Sequence, residues 1–512
     1  MDSNQTLLGH PKGLFYLFFA ELWERFSFYG MRALLVLYMT KQLLYEDTMS
    51  FGIFAAYMSL VYLTPIIGGV LADNYLGYRK SIILGGIMMA FGHFFLTIEQ
   101  PIFFFASLAL IIVGNGFFKP NISSFVGALY EKDDIRRDSG FTIFYMGINI
   151  GGAVAPLLCA WLAELYGWHY GFMLAGIGML VGLFVFYRGI NNNVFGDNGK
   201  VPSITVYDQK FLGLNRGQLI SVLAFLSVPV FALIVKFNQY EHYIVWVATF
   251  VILGAMGYIY STVDKVAKGK LIVALYFTIL MSLFWAIFEQ AGSSLTLFAD
   301  RNINLIGMNA AQTNSINSGF IILLAIPFSW LWTNLTKSGH NPNSAAKSGI
   351  GLLLLGIGFM VFASSGNAAD ELAKTPMWYL IVGYFILTVG ELCISPIGLS
   401  KMTELSPTKY LAFIMGVFFT SSFYGHFFAG KIAKLTTIVE GQSNPFSEGI
   451  LGSITECISG LSPDQASNTA EGFQQLYSYV SVYAGFGVLT ATIGILAILI
   501  SPFIKKLMAE VH

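Results

Sequence analysis

The sequence predicts an all-α polytopic membrane protein, and three observations carry that expectation. First, the 512-residue chain is 55% hydrophobic and only 11% charged, against about 25% charged in an ordinary soluble domain. Second, fourteen apolar segments follow one another, at about 14–44, 51–74, 79–98, 101–129, 139–165, 169–188, 217–237, 241–262, 270–298, 312–336, 348–364, 377–402, 409–435 and 476–504; a helix of roughly 20 residues crosses the hydrocarbon core. Third, Lys and Arg are unevenly shared. An even number of crossings puts both termini on one side, and with the termini inside, the inner segments hold 19 of the 28 basic residues and the outer ones 6. Both termini are therefore expected in the cytoplasm. Zero net charge suggests no nucleic acid partner. The first span is too long for a cleavable signal and is preceded by a single Lys12. Cys159, Cys393 and Cys457 give no disulfide framework. No metal-ligand set, nucleophile–base constellation or GxxxxGK phosphate loop is found, so no metal, cofactor, enzyme activity or ATP drive is expected.

The first segment carries the densest ionisable group. At about 100° per residue, Glu21, Glu24, Arg25, Phe28 and Arg32 fall in one arc of the helix, with Trp23 opposite, towards lipid. Ionisable side chains at membrane depth are costly, so they turn to a cavity or a partner. Four such groups on one face read as a proton and substrate site; an ion pair that only pins helices together is the plainer alternative. The second segment holds Tyr62 near Pro65 and ends in Gly68-Gly69 and Asp73, with Arg79-Lys80 in a short inner loop. Small residues allow close helix approach, and Asp73 and Arg79 are read as packing and rocking residues. In the fourth segment Lys119 stands beside Pro120 and Asn121. Pro120 frees a carbonyl one turn back, which only protein or a water-filled cavity tolerates, and Lys119 needs an anion or a substrate. Asn149, in the fifth, is a helix-joining or cavity residue.

Residues 1–188 thus form an N-terminal six-helix bundle. The stretch from Asn191 to Gly199 opens a polar cytoplasmic linker, residues 189–216, with turn chemistry. Two accessory spans, 217–262, follow; they are read as free of buried ionisable residues and receive no transport chemistry. A C-terminal six-helix bundle occupies 263–512. Its first span holds Glu289, an isolated intramembrane carboxylate, with Trp285 one turn earlier on the same face. Asn317 and Glu391 follow on later spans, and Ser395-Pro396 can kink the helix that carries Glu391. Phe418 and His426 lie on the next span, His426 read as a bystander. The outer loop 439–477 has acidic residues, no Lys or Arg, and reads as solvated. Sorted by half, the intramembrane charges are Arg25, Arg32, Lys119, Glu21 and Glu24 in the first and only Glu289 and Glu391 in the second. A cavity between the halves would be cationic on one wall and anionic on the other, a field that suits a zwitterion with separated termini.

Several stretches together resemble one family. Glu21-Leu-Trp-Glu24-Arg25-Phe26-Ser-Phe28-Tyr29-Gly30, Phe117-Phe118-Lys119-Pro120-Asn121, Phe144-Tyr145 with Asn149 and Gly151, Phe288-Glu289-Gln290, and Glu391-Leu392 with Ser395-Pro396 and Gly398 are similar to motifs of the proton-dependent oligopeptide transporters of the major facilitator superfamily. Phe28 departs from the pattern, standing where the family usually has Tyr. The resemblance implies a major facilitator fold of two six-helix bundles plus two inserted helices, as in bacterial members. It implies a symporter importing di- and tripeptides with protons across the bacterial inner membrane. The peptide carboxylate would meet Arg32 and Lys119, and its amino terminus Glu391, helped by Asn149 and Asn317. Tyr29, Tyr62, Trp285 and Phe418 would line tolerant pockets beside Ser395. Coupling would rest on carboxylates, since the second span lacks the His of animal members: Glu21 and Glu24 with Arg25, and Glu289 facing Arg32. Lys119 and Glu391 would also act in gating. At the outer end the family often pairs a base on the second helix with an acid on the seventh; here Asp47 and Arg301 would do so with signs exchanged, or both are solvated loop charges, Asp300 neutralising Arg301. A facilitator for another small solute, an anion or a drug, and a transporter-like sensor remain the alternatives.

Overall fold

The structure, a computed structural model, describes residues 6–131, 134–211, 213–407, 410–438, 445–463 and 471–508, without the side chains at 395–400, 403, 412 and 471. Fourteen long helices are present: α1 Lys12–Lys41, α2 Asp47–Leu71, α3 Gly77–Phe95, α4 Pro101–Ala128, α5 Arg137–Tyr166, α6 Trp168–Asn191, α8 Arg216–Lys236, α9 Glu241–Thr262, α10 Lys265–Phe288, α12 Ser315–Lys337, α13 Ser344–Ser364, α14 Met377–Leu405, α15 Leu411–Leu435 and α17 Glu471–Met508. Three short ones, α7 Ile204–Tyr207, α11 Ser294–Asn302 and α16 Gly449–Ser459, lie between them. Eleven stretches of the described residues are long and apolar enough to cross a membrane, and one of these, Asp47–Phe95, holds both α2 and α3. The four intramembrane charges of α1 keep that helix below the mark.

Packing divides the chain into two compact units, Met1–Tyr38 with Leu60–Asn238, and Met39–Ser59 with Gln239–His512. This differs from a division at residues 188, 216 and 262 in two ways. The outer hairpin 39–59 packs with the second unit, where Ala55 and Phe51 meet Gly430 of α15. The accessory pair is shared between the units. Ala224 of α8 joins a buried cluster with Leu76, Met88, Leu110, Val113 and Phe117, whereas Thr249 of α9 shares a 2.8 Å hydrogen bond with Tyr424 of α15. Apolar segments 217–237 and 241–262 look alike in sequence; only their packing partners separate them.

Three further local differences matter. The span read as 270–298 is broken: α10 ends at Phe288, a 3-10 turn covers Glu289–Gly292, and α11 starts after Ser293. The freed backbone is satisfied from nearby, for the Gln290 side chain donates to the carbonyls of Ala286 (3.1 Å) and Ala429 (3.0 Å), and Thr296 Oγ1 donates to that of Ala291 (2.7 Å). Irregular backbone at membrane depth persists only when buried in protein in this way. The linker is not merely a polar tether. Phe195 is buried among Tyr16, Phe125 and Phe186, and Arg79 donates to the carbonyls of Asn198 (2.8 Å) and Gly196 (2.6 Å). Gly77, at φ +71°, sits where a Cβ would be 2.3 Å from the Lys200 carbonyl oxygen, so only glycine fits the start of α3. Finally, the outer loop contains α16, packed on α17 and α13 and closed by Gly460 at φ 68°.

Close approach of α2 and α4 gives a test. A Cβ at Gly68 would lie 1.9 Å from the Gly116 carbonyl oxygen, whereas one at Gly69 would lie 3.7 Å from Pro120 Cβ. Overpacking costs about 1–3 kcal/mol. Gly68→Ala should lower the thermal midpoint of the purified protein in detergent, and Gly69→Ala should leave it in place; equal midpoints for the two would contradict this packing.

Candidate functional site

In the first unit the arc on α1 is buried: Glu21 and Glu24 are fully enclosed and Arg25 and Arg32 nearly so. Arg25 is bidentate to Glu24, through Nε and Nη2, and its Nε is also 3.4 Å from Glu21 Oε1. Lys119 Nζ donates to that same Glu21 oxygen. Two cations and two carboxylates therefore form one neutral chain, Lys119–Glu21–Arg25–Glu24. Bidentate guanidinium–carboxylate geometry is the strongest common form of ion pair. The Arg25 guanidinium also stands over the Phe28 ring at 5.0 Å and the Tyr29 ring at 5.8 Å, and Arg32 over Tyr29 at 5.9 Å. Trp23, expected towards lipid, instead lies on α6 against Gly178 and Gly182, because the glycines leave room for its ring. Asn149 is buried and donates to the Tyr145 carbonyl of its own helix at 3.0 Å, and Tyr62 is half-buried. Asn121 spans the helix disturbed by Pro120, donating to the Phe117 carbonyl at 2.7 Å.

In the second unit Asn317 Nδ2 donates to Glu391 Oε2 at 3.0 Å and to Thr388 Oγ1 at 3.1 Å, which orients the carboxylate. Glu289 lies at the first residue of the helix break, within electrostatic reach of Glu391. Trp285 packs between Phe284 and Phe288, and Phe418 is buried. The Ser395 side chain lies outside the described residues. Arg32 and Glu289, expected to face each other, belong to different units.

The outer charges pair within the second unit. Arg301 Nη1 and Nη2 donate to the two oxygens of Asp47, the latter at 2.8 Å, and Nη1 reaches Tyr479 Oη at 3.3 Å. Asp300 is taken by Lys41 instead of Arg301, so the local neutralisation weighed from sequence is not the arrangement adopted.

Two neighbours were not foreseen from sequence. His426, read as a bystander, has its Nε2 3.9 Å from Glu289 Oε1, with both side chains buried. Glu241, in the accessory pair read as free of buried ionisable groups, is buried at the first turn of α9, beside Ser59 of α2 and near Lys431 and Lys434 of α15. It stands at the edge of an apolar segment, where sequence cannot separate a loop charge from a buried one. For His426, the one available signal is its place in an otherwise apolar and small-residue run.

The fourteen long helices of the described residues, with a buried and neutral chain of charges in the first unit, define a polytopic integral membrane protein. The model of the POT family matches residues 79–447. The chain is 37% identical over 477 residues to the peptide transporter YePEPT of Yersinia enterocolitica, spanning 84% of this chain and 89% of that one. It is 30% identical over 516 residues to dipeptide and tripeptide permease B of Xenorhabdus bovienii, spanning 99% and 98%. The fold is similar to that of a peptide transporter POT solved in complex with sulfate, with a TM-score of 0.79 at 30% identity over 98% of this chain and 97% of that one. The chain belongs to the POT family of proton-dependent oligopeptide transporters, a family of transporters and not of enzymes.

The outer pair can be tested by charge exchange. Asp47→Arg should slow transport about fivefold, as expected for a loss of roughly 1 kcal/mol, and Asp47→Arg combined with Arg301→Asp should restore it. Uptake by the double variant no better than that of the worse single variant would exclude direct pairing as the cause.

Proposed function

We propose that this protein imports di- and tripeptides by alternating access, driven by the proton gradient across a bacterial inner membrane, with both termini in the cytoplasm. The observation that carries the reading is the neutral chain Lys119–Glu21–Arg25–Glu24. Its two cations are held by groups that a proton can neutralise. When Glu21 or Glu24 is protonated, the attraction that holds Lys119 or Arg25 is lost. The released cation then takes the carboxylate of a peptide, with Arg32 beside it. Departure of the peptide leaves the cation to reclaim its carboxylate, and the proton leaves with it. Substrate and proton are thereby linked through competition for the same cation, with no covalent step. At the other end of the substrate, Glu391, oriented by Asn317, binds the peptide's amino group. The names of the relatives support the substrate class: a peptide transporter and a dipeptide and tripeptide permease. A similar structure was solved with alafosfalin bound. Trp285, Tyr29, Tyr62 and Phe418 supply apolar surface that tolerates different side chains, and Asp47 with Arg301 fastens the outer side.

Two measurements in proteoliposomes test this mechanism. Glu24→Gln keeps the shape of the side chain and removes its titration; it should abolish accumulation of a dipeptide under an inward proton gradient while retaining exchange between equilibrated compartments. Wild-type accumulation by this variant would exclude Glu24 from coupling. The second measurement concerns the amino-terminal site. Acetylating a dipeptide removes a charge-assisted hydrogen bond worth about 1.5–3 kcal/mol, so the acetylated peptide should compete at least about tenfold more weakly than the free one. Equal competition would remove Glu391 from that role.

A further inference from the structure

Coupling in the second unit was expected to rest on carboxylates alone, yet a histidine stands beside one of them. We infer that His426 is the proton partner of Glu289, so that this unit carries a working Glu–His pair. The inference rests on the reading of the chain as a proton-coupled peptide importer.

His426 Nε2 lies 3.9 Å from Glu289 Oε1, with side-chain exposures of only 2% and 6%. That spacing is within ion-pair range but longer than a hydrogen bond, which closes at about 3 Å; a small rotation of the Glu289 side chain suffices to make one. Flanking contacts fix the two elements against each other. One residue after Glu289, the Gln290 side chain donates across to the Ala429 carbonyl of α15 at 3.0 Å. One residue before His426, Gly425 admits Trp285 of α10, where a Cβ would lie 2.4 Å from Trp285 Cβ. The helix break at Glu289–Gly292 places the carboxylate off the regular helix.

The charged groups around His426 are few. Glu289 faces it from the helix break, and Glu391 of α14 acts on Glu289 in turn. On α15 itself Lys431 lies five residues on, at the exposed outer end. The outer half of α2, residues 48–59, contains no Asp, Glu, Lys, Arg or His. From α17, Tyr483 is committed to Ser294 and Tyr479 to Arg301. Two carboxylates within electrostatic reach and one imidazole thus share a buried site. An imidazolium places a positive charge beside these carboxylates and favours their ionised form.

The step balances simply. The protonated Glu289 carboxyl gives its proton to Nε2, leaving a carboxylate beside an imidazolium, and the pair keeps its net charge. The proton can then return to the carboxyl or leave from the ring, and its departure from the ring leaves a Glu289 carboxylate beside a neutral imidazole. Histidine suits this role because its unperturbed titration falls near neutral pH.

The experiment is gradient-driven dialanine uptake by proteoliposomes between about pH 5 and 8, where histidine titrates, with wild type, His426→Gln, Glu289→Gln and the double variant. Loss of a cation beside a carboxylate favours the protonated form of that carboxylate. The pH midpoint of uptake by His426→Gln should therefore move to more alkaline pH by about one unit, the smaller end of what a neighbouring charge produces. Exchange between equilibrated compartments, which needs no net proton movement, should be retained. In the Glu289→Gln background, His426→Gln should cause no further shift. An unmoved midpoint in a His426→Gln protein that exchanges normally would overturn the proposal, as would a shift of equal size in both backgrounds. Wild-type accumulation by Glu289→Gln would instead overturn the assignment of coupling to Glu289, a separate failure. Should His426→Gln not fold, infrared titration of the wild-type protein decides: the protonated-carboxyl band assigned by its loss in Glu289→Gln and the imidazolium band should change at shared midpoints, as coupled groups do, and independent titrations would sink the idea.

Discussion

A charge buried in a spanning helix must find its opposite, and much of this protein follows from that single constraint. An ionised group at the centre of a bilayer costs a few kcal/mol by insertion scales. The first unit answers with two cations and two carboxylates in one chain, Arg25 shared between Glu24 and Glu21 and Lys119 closing on Glu21. Breaking a buried pair by removing one partner is far more costly than replacing the whole pair. A network of this kind is therefore indifferent to its own net presence and sensitive to any single loss or protonation. That sensitivity is what a coupling device needs. The replacement of a family tyrosine by Phe28 leaves it intact, because the ring still lies under the Arg25 guanidinium at 5.0 Å; the face of the ring, not a hydroxyl, is what a guanidinium uses there.

The second unit meets the same constraint differently. There Glu391 is oriented by the neutral Asn317 amide. Its other carboxylate sits where the helix unwinds, at Glu289–Gly292. Regular helix would fix the carboxylate on one face, whereas a break secured by Gln290 and Thr296 lets the local backbone and the side chain change direction without exposing unsatisfied carbonyls. Discontinuous helices at membrane depth recur at transporter binding sites for this reason. The two units thus meet the constraint in two ways: mutual pairing of charges in one, and neutral partners with a broken helix in the other.

Much of this was legible in the sequence. Length and hydropathy mark all fourteen long helices, and the 100° spacing of Glu21, Glu24, Arg25 and Arg32 places them on one face before any coordinates. Periodicity says which side chains share a face; it does not say which of several opposite charges they choose. Lys119 was read as needing an anion or a substrate, and the anion it finds is Glu21, a choice that local spacing does not encode. The break after Phe288 was invisible because Glu289-Gln290-Ala291-Gly292 contains no proline and sits within a continuous apolar segment. The surroundings of His426 and Glu241 were hidden for a related reason: each lies beside neighbours across long sequence separations, Glu289 after α10 and Ser59 on α2, which no local pattern encodes. The grouping of residues 39–59 with the second unit is of the same kind.

That grouping bears on what holds the outer hairpin in place. Moving a two-state equilibrium from one in a hundred to its reverse takes about 5.5 kcal/mol. An exposed ion pair supplies about 0–1 kcal/mol, and Lys41–Asp300, with Lys41 half exposed, is of that sort. Asp47–Arg301 is bidentate and better enclosed, but two such pairs alone still fall short. The remainder lies in apolar burial: Phe51, Ile53, Phe54, Tyr57 and Met58 are all buried, and fully burying one large apolar side chain is worth about 1.5–3 kcal/mol. Packing holds the hairpin, and the charge pairs fix its register. This division also explains how the sign of the outer pair can be exchanged relative to the usual family arrangement. A pair that sets register needs complementary partners, and either order of acid and base provides them.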